Sequence, residues 1–161
     1  KAFSREEVPK ATGFDIGAVI GFDHSRPEME EVMIQKKKNA GASYLVTVPI
    51  YQSEKAKMIA NHTSKVGIPL VVTVYPIDSV ETADSLGKIF ADSKPPDDFL
   101  NKIREIEQGS AKVEAKNREI SAANRNLVDV LIKELRAVKG VSGCNIVSTK
   151  LDVLKRPLEE P

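Results

Sequence analysis

The sequence predicts an α/β protein built on parallel strands, and three observations carry that expectation. Short, nearly uncharged runs rich in β-branched residues recur along the chain. Each is followed by a longer polar segment with helical start and stop signals. The segments between runs are too long for hairpins and long enough for right-handed crossovers. With 161 residues, 41% hydrophobic and 29% charged, the chain has the balance of one soluble globular domain.

The first run, 15–21 (DIGAVIG), lacks alternation, the pattern of a strand covered on both faces. In the helix after it, Ser25 and Glu28 fit a capping box and Pro27 the first turn. Glu28, Glu30 and Glu31 complement its positive end, Lys36, Lys37 and Lys38 its negative end, and Gly41 supplies the stop. The second strand spans 43–50 (SYLVTVPI); Ser53 then caps a helix to about Val66, closed by Gly67. A third strand covers 69–77 (PLVVTVYPI), after which Asp78 or Ser79 caps a helix to about Ala91, and Pro95 and Pro96 interrupt it. A short helix follows from Asp97 to about Gln108. In the long helix beyond it, Val113, Ile120, Leu127, Leu131, Leu135 and Val138 form an apolar stripe, and Gly140 ends it. The last strand is 141–148 (VSGCNIVS), and residues 150–161 read as a polar, proline-containing tail. Spacing alone leaves open whether these strands form an open sheet or part of a closed barrel.

Composition removes several functional classes. Lys+Arg 24 against Asp+Glu 23 leaves a net charge of +1, so no whole-chain field attracts nucleic acid or an anionic membrane. No apolar run approaches the roughly 18 to 20 residues of a membrane span, and the single Cys144 cannot form an internal disulfide, so a cytoplasmic protein is expected. The chain begins at Lys1 with no apolar signal stretch, and the expectation is that sequence upstream of it is missing. Neither GxGxxG nor GxxxxGK[ST] is present. His24 and His62 stand apart from any cysteine or second loop histidine, so no metal site is expected and His62 reads as a surface residue. Cys144 sits in a strand with no adjacent base and reads as a small buried hydrophobe. The lysine run reads as a solvated, dipole-complementing helix end.

The loop between the first strand and its helix, carrying Phe22, His24 and Arg26, is the most pointed local feature. It lies at a strand's carboxyl end, where α/β barrels hold their ligands, and before a helix N-terminus that favours an anion.

Five segments in register, FDIGAVIGF followed by RPE, KKKNAGASYLVTVPIY, GIPLVVTVYPIDSVETADSL, PPDDFLNKI and KGVSGCNIVST, together resemble the second half of methylenetetrahydrofolate reductase. The match covers nearly all of residues 13–149. The resemblance implies the second half of a (β/α)8 TIM-type barrel over residues 1–149, which holds FAD at the strand ends and passes hydride from NAD(P)H to a reduced folate or pterin in one-carbon metabolism. By position it makes Phe22, Arg26, Glu30 and Lys37 cofactor-binding residues. Phe22 takes the place of a strand-end aromatic, and Arg26 that of a histidine before Pro-Glu. Glu30 replaces an aspartate on the ribose or adenosine portion, and Lys37 matches a lysine near the pyrophosphate. Arg26 and Lys37 can make charge-assisted bonds to phosphate, and Glu30 can accept from hydroxyls. Tyr51 and Tyr75, at strand ends, are the candidates to stack on a substrate ring.

The sequence also departs from the family. Val48 stands where a glutamine meets the pterin, and Pro49, Ile50 and Tyr51 stand where three phenylalanines follow. An aromatic expected after the third strand falls at Val80, and an arginine beyond the last strand falls near Leu151. An unmet pterin amide facing Val48 costs about 1 to 3 kcal/mol. The family's catalytic glutamate lies on the first barrel strand, so the catalytic residues are unknown here and this chain alone is not expected to react. Half a barrel has two bare strand edges, so pairing is expected with a missing amino-terminal half, a second copy or a second subunit. Two alternatives stand beside the reductase reading. One is a non-redox pterin or corrinoid methyltransferase-type barrel, whose polar floor only Asn145 and Asp78 fit; the other is a catalytically silent partner subunit.

Overall fold

A computed structural model describes residues 13–21, 27–91 and 93–148 of the chain. The elements are β1 (Gly17–Ile20), α1 (Pro27–Asn39), β2 (Tyr44–Pro49), α2 (Ser53–Val66), β3 (Leu70–Val74), α3 (Val80–Ile89), α4 (Asp97–Gln108), α5 (Val113–Ala137) and β4 (Val141–Ile146). The strands form one all-parallel sheet in the order β1-β2-β3-β4, so chain order and spatial order coincide. Right-handed crossovers in such an order leave every connection on the same side of the sheet. None of the helices among the described residues is long and apolar enough to cross a membrane.

Packing follows that winding. Ile20, Leu45, Leu70, Val72 and Val74 from the strands meet Ile34, Ala56, Ile59, Ala60, Val128, Leu131 and Leu135 from the helices in the main apolar cluster. Ala18, Val141, Cys144 and Ile146 pack against it. Alternation along each strand then assigns the opposite face to Gly17, Val19, Tyr44, Val46, Val71, Thr73, Gly143 and Asn145. Pairing sets Val19, Val46, Val71 and Gly143 in one row across all four strands. None of these belongs to an apolar cluster, and Val19 is 62% exposed. The chain therefore builds a two-layer sandwich of helices on sheet, with a bare face in the sense that no helix among the described residues packs on it; Val46 and Val71 are half-buried there and Thr73 is buried.

That result corrects the expectation of a first strand covered on both faces: only Ala18 and Ile20 of β1 meet the helical layer. The strands are also shorter than expected. β1 begins at Gly17, though the Ser43 amide still donates to the Ile16 carbonyl at 2.8 Å. β3 stops at Val74 because the backbone beyond it turns to meet α5, and β4 stops at Ile146. Ser53 is the first helical residue rather than the cap; Gln52 holds the cap position of α2 without a side-chain bond. Ser79 does cap α3, accepting the Thr82 amide at 3.1 Å, and α3 ends at Ile89 rather than at Ala91. The expected capping residue Ser25 and the 150–161 tail lie outside the described residues.

Two glycines are required by geometry. Gly67 closes α2 in the left-handed region at φ 69°, and Gly140 (φ 97°) lets β4 start against α2, where a Cβ would stand 2.5 Å from Ser64 Oγ. Within the lysine run, Lys38 caps the neighbouring helix α2 as well as complementing its own. Its ammonium donates to the Val66 and Gly67 carbonyls at 2.7 and 3.2 Å. His62 is also not a free surface residue. Its Nδ1 lies 3.0 Å from Glu31 Oε1, which Lys65 also engages, so α1 and α2 are bridged through one carboxylate.

Candidate functional site

The carboxyl ends of β1 to β4 bring together the chain after Ile20, the Pro49–Gln52 stretch, the 75–79 loop and Val147 with Ser148. Phe22 and Arg26 fall in the first of these loops, outside the described residues. Glu30 and Lys37 lie on α1 seven positions apart, a spacing that puts them on one helix face about 10 Å apart along the axis. Ile34 lies between them, fully buried in the main cluster; Glu30 is 7% exposed and Lys37 half-buried. Thus α1 offers a shielded carboxylate near its start and a cation near its end.

Tyr51 and Tyr75 do meet, through the Tyr51 side chain and the Tyr75 backbone. The Tyr51 hydroxyl donates to the Tyr75 carbonyl at 2.5 Å, and its ring is 5% exposed inside a second apolar cluster with Ile77, Ala83, Phe99, Ile103, Ile120 and Ala123. Burial pushes the Tyr51 phenol above the ordinary tyrosine range, with Tyr75 adding to the shift. Tyr75 packs on the edge of the same cluster and is half-buried. This second core sits beyond the end of β3 and exists because three helices, α3, α4 and α5, fill the crossover from β3 to β4.

Two buried polar side chains fix the strand-end loops. Asn124 of α5, fully buried, accepts the Ile77 amide at 2.8 Å and donates to the Ile77 and Ile120 carbonyls at 2.6 and 3.0 Å. Ser93, also fully buried, donates to the Pro49 carbonyl at 2.6 Å. Beside the first of these, Thr82 Oγ1 donates to Asp78 Oδ1 at 2.6 Å and Glu107 accepts the Val80 amide at 3.1 Å, so the loop into α3 is tied on both sides. Sequence reasoning missed Asn124 and Ser93. For Asn124 a signal was available, an amide four residues after Ile120 and three before Leu127, on the apolar stripe of α5 itself; Ser93, between two turn segments, is not distinguishable from a surface residue by pattern.

On the bare face the last residues of β3 and β4 are Thr73 and Asn145, register partners, with Val48 of β2 beside them. Asn145 Nδ2 approaches Thr73 Oγ1 at 3.5 Å, the long limit of a hydrogen bond. Between β2 and β3 the register slips by one residue, and the Thr47 hydroxyl accepts the Thr73 amide at 2.9 Å. Cys144, on the helical face, is half-buried, and burial pushes its thiol pKa up. A groove of about 790 Å³ lies elsewhere, lined only by α4, α5 and their connection, including Lys102, Glu105, Lys116 and Glu119. It does not reach the strand ends. No protein-family model matches this sequence, and no curated protein matches it either.

Proposed function

We propose that this chain forms the second half of a (β/α)8 barrel of methylenetetrahydrofolate reductase type, a flavin-dependent oxidoreductase domain of one-carbon metabolism that takes electrons from NAD(P)H and acts on a reduced folate or pterin. The observation that supports it best is the sheet itself. Four parallel strands in sequential order, helices on one side, a row of Val19, Val46, Val71 and Gly143 on the other and two open edges are what one side of a closed barrel requires. A doubly wound sheet would reverse its strand order and clothe both faces.

Two residues of α1 have chemistry that suits parts of FAD. The shielded Glu30 carboxylate, near the start of α1, can accept from ribose hydroxyls; Lys37 has the charge to pair with phosphate but stands in the last turn, at the end of the helix away from the strand-end loops. Phe22 and Arg26 complete the set by position. The flavin, when bound, supplies hydride transfer; the residues of this chain bind and orient it, and the catalytic glutamate belongs to the other half. The deep placement of Tyr51, with its hydroxyl spent on Tyr75, gives some weight to the silent-subunit alternative, because a ring so committed cannot also stack on a substrate.

The test is the intact polypeptide containing this sequence, purified and supplied with FAD. Visible flavin absorbance together with oxidation of reduced nicotinamide supports the reading. A colourless protein that neither binds FAD nor consumes NAD(P)H, while holding a second protein in stoichiometric amount, refutes it in favour of the silent subunit.

A further inference from the structure

We infer that Asn145, backed by Thr73, is a specificity residue that hydrogen-bonds the pyrimidinone edge of the planar ring bound over the bare sheet face. The inference rests on the reading of this face as the inside of a flavin or pterin barrel. Below Asn145 the face is the valine row, which offers contact area but no hydrogen bond. Thr73 and Asn145 occupy the last positions of β3 and β4 that point to this face within the strands, at the ligand end. An amide there carries one acceptor oxygen and two N–H donors.

Among the described residues the Asn145 side chain bonds to the Thr73 hydroxyl at 3.5 Å, so most of that capacity is left over. Asn145 is half-buried with the face open. Once the face is closed, an amide with spare donor and acceptor is costly unless something pairs with it. Water or a ligand can do so, and a lactam edge, with alternating C=O and N–H groups, matches a carboxamide in both directions. Flavin and pterin share that edge, so the chemistry is common to both and the ring is settled by measurement.

In the intact protein, dissociation constants for FAD and for a reduced pterin are measured by titration, alongside the flavin visible spectrum and thermal unfolding, for wild type, Asn145→Ala and the near-isosteric Asn145→Asp. Loss of the amide is expected to weaken one ligand about tenfold in both variants, the size of one hydrogen bond to a neutral partner. Weakened FAD with a shifted flavin band assigns the flavin edge, and weakened pterin with unchanged flavin assigns the pterin edge. Equal affinities for both ligands in all three proteins overturn the assignment and leave Asn145 a cross-strand residue. A wild-type protein that binds neither ligand sinks the barrel function first, and this assignment with it. Should Asn145→Ala lose its folded baseline, Asn145→Asp, which keeps the volume but not the donors, decides alone.

Discussion

Replacing Asn124 by alanine removes the clamp between α5 and the loop after β3, and its cost follows from what is left behind. Ile77 is fully buried, and both its amide and its carbonyl are paired to the Asn124 side chain. The Ile120 carbonyl, four residues back in the same helix, keeps its helical environment and counts for little. Two buried peptide groups without partners cost about 1 to 3 kcal/mol each, so a loss of about 4 kcal/mol is expected. For a domain of this size that corresponds to a fall in Tm of roughly 8 to 16 °C. Asn124→Leu separates the causes, because leucine refills the space but not the hydrogen bonds; it should be no better than alanine. The exposed neighbour Asn126→Ala should stay within about 0.5 kcal/mol of wild type. Thermal and urea unfolding give the energies, and amide exchange at Ile77 reports the loop directly. A leucine variant with wild-type Tm, or an Ile77 amide equally protected in all three proteins, would show that the loop does not depend on the clamp.

Three further outcomes are expected. Gly140→Ala, which forces a side chain into φ 97° and to within 2.5 Å of Ser64 Oγ, should lower the urea midpoint by the equivalent of about 1 to 3 kcal/mol. Gly87→Ala, on α3 with open space around its Cβ, should instead gain about 0.5 to 1 kcal/mol. Burial raises the folded-state pKa of Tyr51, so the native protein holds a proton that the unfolded chain releases; stability should fall as pH rises above about 10, and Tyr51→Phe should flatten that slope in alkaline unfolding curves. Glu31 behaves with the opposite sign: Lys65 first and His62 second hold its carboxyl below the usual range, so its contribution is whole above about pH 4.3 and disappears as pH falls through the lower folded value. Glu31→Gln should therefore make acid unfolding less steep.

The helical layer was largely legible in the sequence because its signals are local. Ser79 before α3, Gly67 after α2 and Gly140 after α5 each act through the backbone geometry of a few neighbouring residues. In the stripe of α5, Ile120, Leu131 and Leu135 are buried as the 3.6-residue period requires, whereas Val113 is 72% exposed because it opens the helix, ahead of the second core. What the sequence could not show depends on partners far along the chain. Lys38 reaches α2, His62 reaches Glu31, and Asn124 reaches a residue 47 positions away. The apolar run of β1 read as doubly covered because a sheet face without a helical layer can be as apolar as a covered one, and periodicity cannot tell them apart. Of the site, Glu30 and Lys37 share a helix face through simple seven-residue arithmetic, while the inward burial of Tyr51 follows from a three-helix crossover whose packing no local pattern reveals.

Pro49 sits in an interior strand, where a residue without an amide hydrogen would ordinarily leave a gap in the ladder. The slip between Val46 and Pro49 resolves this: the Ile50 amide donates to the Thr73 carbonyl at 2.9 Å, and the Thr47 hydroxyl takes the Thr73 amide. Below the slip the β2–β3 alignment is kept, and above it a threonine side chain stands in for a backbone partner. Thr47→Val, which keeps the shape but loses the acceptor, would leave the buried Thr73 amide unpaired, so this one hydroxyl ties the two central strands together at the point where the proline cannot.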